Sequence, residues 1–473
     1  MSDLTAKQAS WQRVERHSAE LKKELRLVDL VSIQILNVVA FTWIGTAAQV
    51  GPSHLVFWLL AVLLFYVPSG IVVAHLAQEM PLEGGLYQWV KLRFGPLPGF
   101  LVAMNVWLNN VFLFPTLSLA ILQLAAYALG PQSVWIASSN PLILALSLAT
   151  TAGLMLVAWR GLTIGKWVNN VGGLGFILLF VIVILAALPH WFSGQVTTAP
   201  VSLAFPALTL LNLNLLAKMS FGALCGVDAA AIFVGECHSS DTSRLIRRSI
   251  WVSAPLVALM MILGTASVLS FSRPDAVDLI APGIQVLGIG FPRLVAFAVV
   301  LLIVATLAQK SFYFSVMLRM PMVAGWDRLL PPWFSRLDAR YKTPVGSIIF
   351  AGAFIMALTL LAIAGAGNQE AFQLLLNASL LCFAGAYLMM FAIPLVARGE
   401  KPSWGVRLAA ACGLLMTLLF VLLSVLPIVQ VKSRGLFAAK LIAVIGGLQC
   451  AGALYYWRAR RALAARTASS AAE

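Results

Sequence analysis

The chain has 473 residues, of which 61% are hydrophobic and only 10% charged, and its formal net charge is +15. So apolar a composition excludes a soluble globule. The basic excess invites a nucleic-acid reading, which the distribution of the basic residues along the chain argues against.

In chain order, a charged lead, "WQRVERHSAELKKELR", precedes the first apolar run. It has no small-residue cleavage site and does not read as a cleavable signal. The lead is either an amphipathic helix on the membrane surface or a solvated tail that helps to set topology. Apolar runs follow at about 28–49, 54–78, 97–129, 140–158, 164–188, 207–236, 248–272, 291–324, 345–366, 370–396, 404–427 and 436–458. Each is long enough for a hydrocarbon core of roughly 30 Å, and tilt or helix continuing beyond the bilayer absorbs the excess of the longest. The expected fold class is an all-α membrane protein with about 12 transmembrane helices. Its expected parts are an N-terminal segment 1–27, a transmembrane domain 28–458 and a tail 459–473.

Basic residues concentrate on alternate connections. One side holds the lead, Lys91, Arg93, Arg160, Lys166, Arg244, Arg247, Arg248, the 319–342 stretch, Arg398, Lys401, Arg407 and the tail. The other side holds only Arg273, Arg293, Lys432, Arg434 and Lys440. This positive-inside pattern places both termini in the cytoplasm and makes the charge a topology signal. Cys225, Cys237, Cys382, Cys412 and Cys450 lie in or beside apolar helices without a C-x-x-C pair, and read as free thiols. The histidines show no ligand spacing, so neither a metal nor another cofactor is expected.

Two apolar runs look broken. In "FTWIGTAAQVGP", 41–52, Gly45 sits mid-membrane beside Thr46, whose hydroxyl can bond freed backbone. In "FGALCGVDAAAIFVGEC", 221–237, Gly222 and Gly226 bracket Cys225, and Asp228 follows. Interrupted helices in corresponding positions of two halves point to an inverted-repeat transporter with its site near the midplane. Glycines that merely permit close helix packing are the competing account. Asp228 favours the first. An acid costs roughly 2.5–3.5 kcal/mol or more at the bilayer centre, so it should face a polar cavity or a partner.

Four stretches together resemble the amino acid–polyamine–organocation superfamily of secondary transporters: "WIGTAAQVGP"; "HLAQEMPLEGGLYQWVKLRFGPLPGFLVAMNVWL", 75–108; "FGALCGVDAAAIFVGEC"; and "LRMPMVAGWDRLLPPWFSRLDARYKTPVGSI", 318–348. "WLNNVFLFP", 107–115, is similar to a subgroup of bacterial amino-acid permeases. The resemblance implies a leucine-transporter-like fold: a 5+5 inverted repeat, about 28–188 and 207–396, plus two extra helices at about 404–458, in a bacterial inner membrane. It further implies substrate binding by backbone. Unwinding helix 1 near Ile44, Gly45, Thr46 and Ala47 would expose N–H groups to a carboxylate. Unwinding helix 6 near Phe221, Ala223, Leu224, Cys225 and Gly226 would expose carbonyls to an ammonium. Three positions depart from the family. Ala47 stands where many members have a second glycine, and Leu224 where they have an aromatic, leaving Phe221 as the nearest gate. Phe176 stands where proton-coupled relatives often place a lysine, so that route of coupling is absent or relocated, and the coupling ion, H+ or Na+, stays open.

Other polar residues have two readings each. Lys310 either balances Asp228, or fills a cation site, or snorkels to water. Lys218 either lines the outer vestibule or snorkels. Asn105, Asn109 and Asn110 cannot all face lipid; one or two line the cavity, or they bond between helices. Glu236 is expected to pair with Arg93 or Arg319, and Trp43 to serve packing. Asp228, Lys310 and Phe221 are the expected gating and coupling residues.

The resulting expectation is a secondary active transporter moving amino acids or related amines by alternating access, as uniporter, symporter or exchanger. A polyamine or organic-cation transporter and a non-transporting amino-acid sensor are the alternatives. Its partners would be the small-molecule substrate and the lipid bilayer, not nucleic acid. No P-loop, nucleophile elbow, H-E-x-x-H or clustered acid pair points to an enzyme. No ring of filter residues points to a channel.

Overall fold

A computed structural model describes residues 2–470 apart from 134, 208, 280, 366–367, 397–401 and 425–433. Arg398, Lys401, Lys432 and the last residues of the tail lie outside the described residues. Its main helices are α1 (Ser2–Ala19), α2 (Leu27–Val38), α3 (Phe41–Ala48), α4 (Gly51–Glu79), α5 (Leu86–Phe94), α6 (Pro96–Leu129), α7 (Asn140–Arg160), α8 (Leu162–Ser193), α9 (Leu210–Ala217), α10 (Thr242–Phe271), α11 (Pro282–Gly290), α12 (Val295–Trp326), α13 (Val345–Gly365), α14 (Asn368–Leu395), α15 (Trp404–Leu423) and α16 (Arg434–Ser470). In hydrocarbon each backbone polar group must be satisfied within its own segment, so long apolar runs become helices. Among the described residues, ten helices are long and apolar enough to span a bilayer, and α2 with α3, bent by 45°, makes an eleventh. The apolar α13 completes the expected set.

Burial grades the spans from centre to rim. In the most apolar 18-residue stretch of each span, 94% of the residues are buried inside the protein for Leu210–Glu236 but only 11% for Ala438–Ala465 of α16. The former is the axis of the bundle, and the latter lies along its outer face. An apolar core joins α2, α4, α10, α12 and α14 around that axis.

The lead docks on the protein along one face. α1 docks on the end of α12, where Val14 is fully buried and His17 stacks on Trp326 with ring centroids 5.3 Å apart. Apolar side chains at Val14 and Leu21 have a protein surface to cover, so one face of the segment is packed on protein while Gln12, Glu15, Arg16 and Glu20 stay exposed. α5 and α11 were not foreseen as separate elements. α5 is set off by glycines in the left-handed region at Gly85 and Gly95, and α11 lies in the connection after α10.

Candidate functional site

Two interruptions meet at the bundle centre. The first falls at Val39–Ala40, where both residues are extended and α3 starts anew at Phe41. The second falls at Cys225–Gly226. Before it, α9 continues through a π turn, Lys218–Gly222; after it, a 3₁₀ helix runs from Val227 to Glu236. Gly226 has φ +112°, and a Cβ there would lie 2.1 Å from Asn37 Nδ2, so only glycine fits. A second π turn, Val62–Tyr66 of α4, faces the first, and Phe65 meets Phe221 edge-on at 5.5 Å. Such π turns widen a helix locally and recur at functional sites.

Side chains from distant elements stitch the second break. Asn37 Nδ2 donates to the Gly226 carbonyl at 2.9 Å. The Gly226 N–H donates to the Tyr387 hydroxyl at 2.7 Å, and that hydroxyl donates to Asp228 Oδ1 at 2.5 Å. The Gly226 N–H goes to Tyr387 rather than to the Gly222 carbonyl four residues back, and the Ala229 N–H goes to the Gly226 carbonyl, so among the described residues no backbone N–H across the break reaches the carbonyls of Ala223, Leu224 and Cys225. Asp228 Oδ2 is buried and makes no hydrogen bond among the described residues. Aromatic rings enclose this spot. Phe221 stacks on Phe420 at 4.7 Å and stands edge-on to Tyr387 at 5.4 Å, with Phe383 and Phe391 against Tyr387. Gln309 Nε2 caps the Leu36 carbonyl at 2.7 Å, satisfying the end of α2.

The expected site residues divide accordingly. Phe221, Ala223, Leu224, Cys225, Gly226 and Asp228 come together around the second break. Gly226 is held by side chains on both backbone groups rather than left open, which corrects its reading as a free ligand. The helix-1 group needs a larger correction, because the break precedes it. Ile44, Gly45, Thr46 and Ala47 are helical within α3; Gly45 lies against the Asp278 carbonyl and Pro282, and Thr46 Oγ1 bonds the Thr42 carbonyl of its own helix. The N–H groups freed at a helix start belong instead to the first residues of α3, Phe41 and Thr42.

Asn105 is drawn away from the break, its amide oxygen accepting from Gln449 Nε2 of α16 at 2.5 Å. Asn109 is buried with Oδ1 unpartnered among the described residues, and Asn110 bonds the Val106 carbonyl of its own helix. Lys310 does not meet Asp228. Its ammonium donates to Ser118 Oγ at 2.5 Å and Thr150 Oγ1 at 2.8 Å and sits 4.3 Å from the Phe114 ring centroid, between α6, α7 and α12. Lys218 is half-buried at the π turn, and Trp43 rests on Gly222, where a Cβ would lie 2.7 Å from the indole. Asn37, Phe65 and Tyr387 escaped the sequence reading; a polar side chain inside an apolar run was the only signal that Asn37 and Tyr387 carried.

The far end of the 3₁₀ helix is bolted on the face that carries α1. Arg319 takes Glu236 in a two-pronged pair at 2.7 Å to each oxygen, and is one of the two partners, with Arg93, expected of that acid. Glu24 N and Leu25 N donate to the Glu236 carbonyl, and His238 N returns to the Leu25 carbonyl, forming a short parallel bridge. Lys91 and Tyr87 hold Asp327, so the two sequence stretches 75–108 and 318–348 are joined on this face.

Residues 25–448 match the family model described as amino acid permease. An uncharacterized transporter of Legionella pneumophila is 25% identical over 393 residues, covering 80% of this chain and 82% of that protein. A protein of Arabidopsis thaliana named a chloroplastic cationic amino acid transporter is 23% identical over 400 residues, covering 74% of this chain and 62% of that protein. Among solved structures, the Eremococcus coleocola manganese transporter superposes with a TM-score of 0.55 at 15% identity, over 95% of this chain and 96% of that one. That likeness concerns the fold, which is the leucine-transporter-like inverted repeat with two extra helices.

Proposed function

This chain belongs to the amino acid permease family, and from that premise we propose that it is a secondary active transporter moving an amino acid or related amine across a bacterial inner membrane by alternating access. One observation carries the reading. A helix at the bundle axis is interrupted beside a buried carboxylate that keeps one oxygen unpartnered, inside an aromatic enclosure. Freed carbonyls, a carboxylate oxygen and ring faces all attract an ammonium, while the first N–H groups of α3 suit a carboxylate. On this reading Ala223, Leu224, Cys225 and Asp228 take the amine, Phe41 and Thr42 the acid group, and Phe221 and Tyr387 close over them. The bolted face is then the closed cytoplasmic gate, with both termini on that side.

Purified protein in proteoliposomes tests this. Radiolabelled amino acids or amines chosen by a thermal-shift screen should accumulate or exchange; a ligand at 100 times its Kd stabilises by about 2.7 kcal/mol. Binding without accumulation or exchange would replace the transporter by a sensor. A reporter after residue 473 or within 325–344 should report cytoplasm, and one at 190–200 the outside. The reverse pattern would overturn the orientation.

A further inference from the structure

Glu83 lies in the connection between α4 and α5, fully buried, and no step of the proposed transport uses it. Its Oε2 accepts the Gly235 N–H at 2.6 Å, while Oε1 is buried with no partner among the described residues. The connection is pressed onto the 3₁₀ helix: the Gly84 N–H donates to the Ile232 carbonyl, and a Cβ at Gly235 would lie 2.8 Å from Glu83 and 2.2 Å from Ser18 Oγ. Charged and titratable groups face Glu83 from every side. Glu236 and Cys237 do so from the end of the 3₁₀ helix, Arg319 from α12, and Lys23 from the segment after α1, with its ammonium on the Gly235 carbonyl. Arg319 is already committed to Glu236 on both oxygens, so Glu83 sits beside a second carboxylate without a cation of its own.

We propose that Glu83 is a proton-binding site that controls the latch on this face: protonated, it keeps the 3₁₀ helix clamped to the α4–α5 connection and the 23–25 segment, and ionised, it releases them. The proposal extends the transport reading above by naming where a proton acts, but its test needs no substrate. The physical ground is burial plus a like charge. Both disfavour an ionised Glu83 while the latch is shut, and both vanish when the latch opens to water. Desolvation, and then the Glu236 carboxylate, push its pKa up from the usual 4.5 to about 8, outweighing Arg319, the Gly235 N–H and Lys23. The closed state therefore holds the proton more tightly than the open one. Acid favours closure, and closure weakens as pH rises between those values. The 3₁₀ segment, kinked at Phe233, runs from this group to the transport site, since its other end carries Gly226 and Asp228.

Cys237 supplies the reporter. It is buried, free, and part of the bridge that must part when the latch opens. In purified chain with Cys225, Cys382, Cys412 and Cys450 changed to alanine, maleimide labelling of Cys237 is followed between pH 6 and pH 9. Each rate is divided by that of the denatured chain at the same pH, which removes the intrinsic titration of the thiol. The normalised rate should climb by about tenfold or more across that range. Glu83→Gln should label slowly at every pH. Glu236→Gln should keep the climb but move it to lower pH, because the like charge is gone and Arg319 is released. A flat profile in the parent, or a parent-like climb in Glu83→Gln, would overturn the proposal. A climb in Glu236→Gln at unchanged or higher pH would overturn it equally, even were Glu83→Gln poorly folded.

Discussion

The two ends of the 3₁₀ helix Val227–Glu236 are built on opposite principles. At its start, neutral side chains hold the chain: Tyr387 and Asn37 take the two backbone groups of Gly226, and Asp228 keeps one oxygen unmet. At its finish, Arg319 fills both oxygens of Glu236, and the backbone of Glu236 and Gly235 is bonded by Glu24, Leu25, Glu83 and Lys23. A buried polar atom without a partner costs free energy and has a reason to take a ligand; a saturated one has none. The start of the helix is therefore suited to binding a ligand, and the finish, where the open oxygen of Glu83 is left to a proton, to fastening; a ten-residue segment kinked at Phe233 joins them.

The largest effect that tests this contrast comes from Gly226. A leucine there needs an unfavourable φ and collides with Asn37. Gly226→Leu should abolish uptake in proteoliposomes at matched protein content. Gly45→Ala, whose Cβ would meet the Asp278 carbonyl at 3.0 Å and Leu279 and Pro282 at 3.3 Å but needs no unusual φ, should keep clearly more of it. Normal uptake by Gly226→Leu would mean that the break is not the site.

Next in size is Asp228→Asn, which keeps the shape and the Tyr387 contact while removing the charge. Hydrogen bonds to charged groups contribute about 1.5–3 kcal/mol, so apparent affinity for an amine should fall by roughly tenfold to a hundredfold. Unchanged affinity by equilibrium binding would leave Asp228 with no part in recognition and would make the open oxygen a feature of some other state.

Much of the contrast was legible in the residues, and what was not has physical reasons. The membrane spans followed hydropathy, because in lipid the helix is the only economical backbone for a lone segment. The second break announced itself twice, by a glycine that no helix needs and an acid that no bilayer tolerates cheaply, Gly226 and Asp228. The first break sits at Val39–Ala40, residues that adopt extended backbone without any special chemistry, so nothing in their types marked it. Gly45 drew attention instead, and its smallness serves a close approach by Asp278, Leu279 and Pro282. Tyr387 and Asn37 reach the site across 161 and 189 residues of chain, and Gln449 reaches Asn105 across 344, distances over which one sequence carries no pairing signal.

Lys310 sharpens the contrast by being a buried charge of the fastened kind. Two hydroxyls and a ring face satisfy it, and it makes no contact with Asp228. Lys310→Met fills similar space, leaves only neutral hydroxyls behind, and should change uptake by less than about tenfold. In the double variant with Asp228→Asn the two effects should add within about 0.5 kcal/mol, as expected for groups without shared partners. Rescue of one change by the other would show that the two charges meet during the cycle and that the separation seen here belongs to one state only.

The smallest expected effect lies at the rim of the fastened end. Glu24 receives Lys166 at 2.7 Å on one oxygen and the Thr163 hydroxyl at 2.9 Å on the other. The Lys166 hydrogen bond, with help from Thr163, holds its pKa below the usual 4.5 against a partial burial that pulls the other way. A depressed carboxylate pKa stabilises the folded form at any pH above the ordinary value, and the contribution fades as pH falls through the depressed one. The pair is partly exposed and screened by solvent, so its worth is about 0.5 kcal/mol. Thermal unfolding of Glu24→Gln should therefore fall below the parent by about 1 °C at pH 7. The gap should narrow in high salt and close once the pH is low enough to protonate Glu24 in the parent. A gap that survived acid would mean that the shape of the side chain, rather than its charge, holds the 23–25 segment at the rim; the fastened end would then owe its strength to Arg319 and the backbone bridge alone.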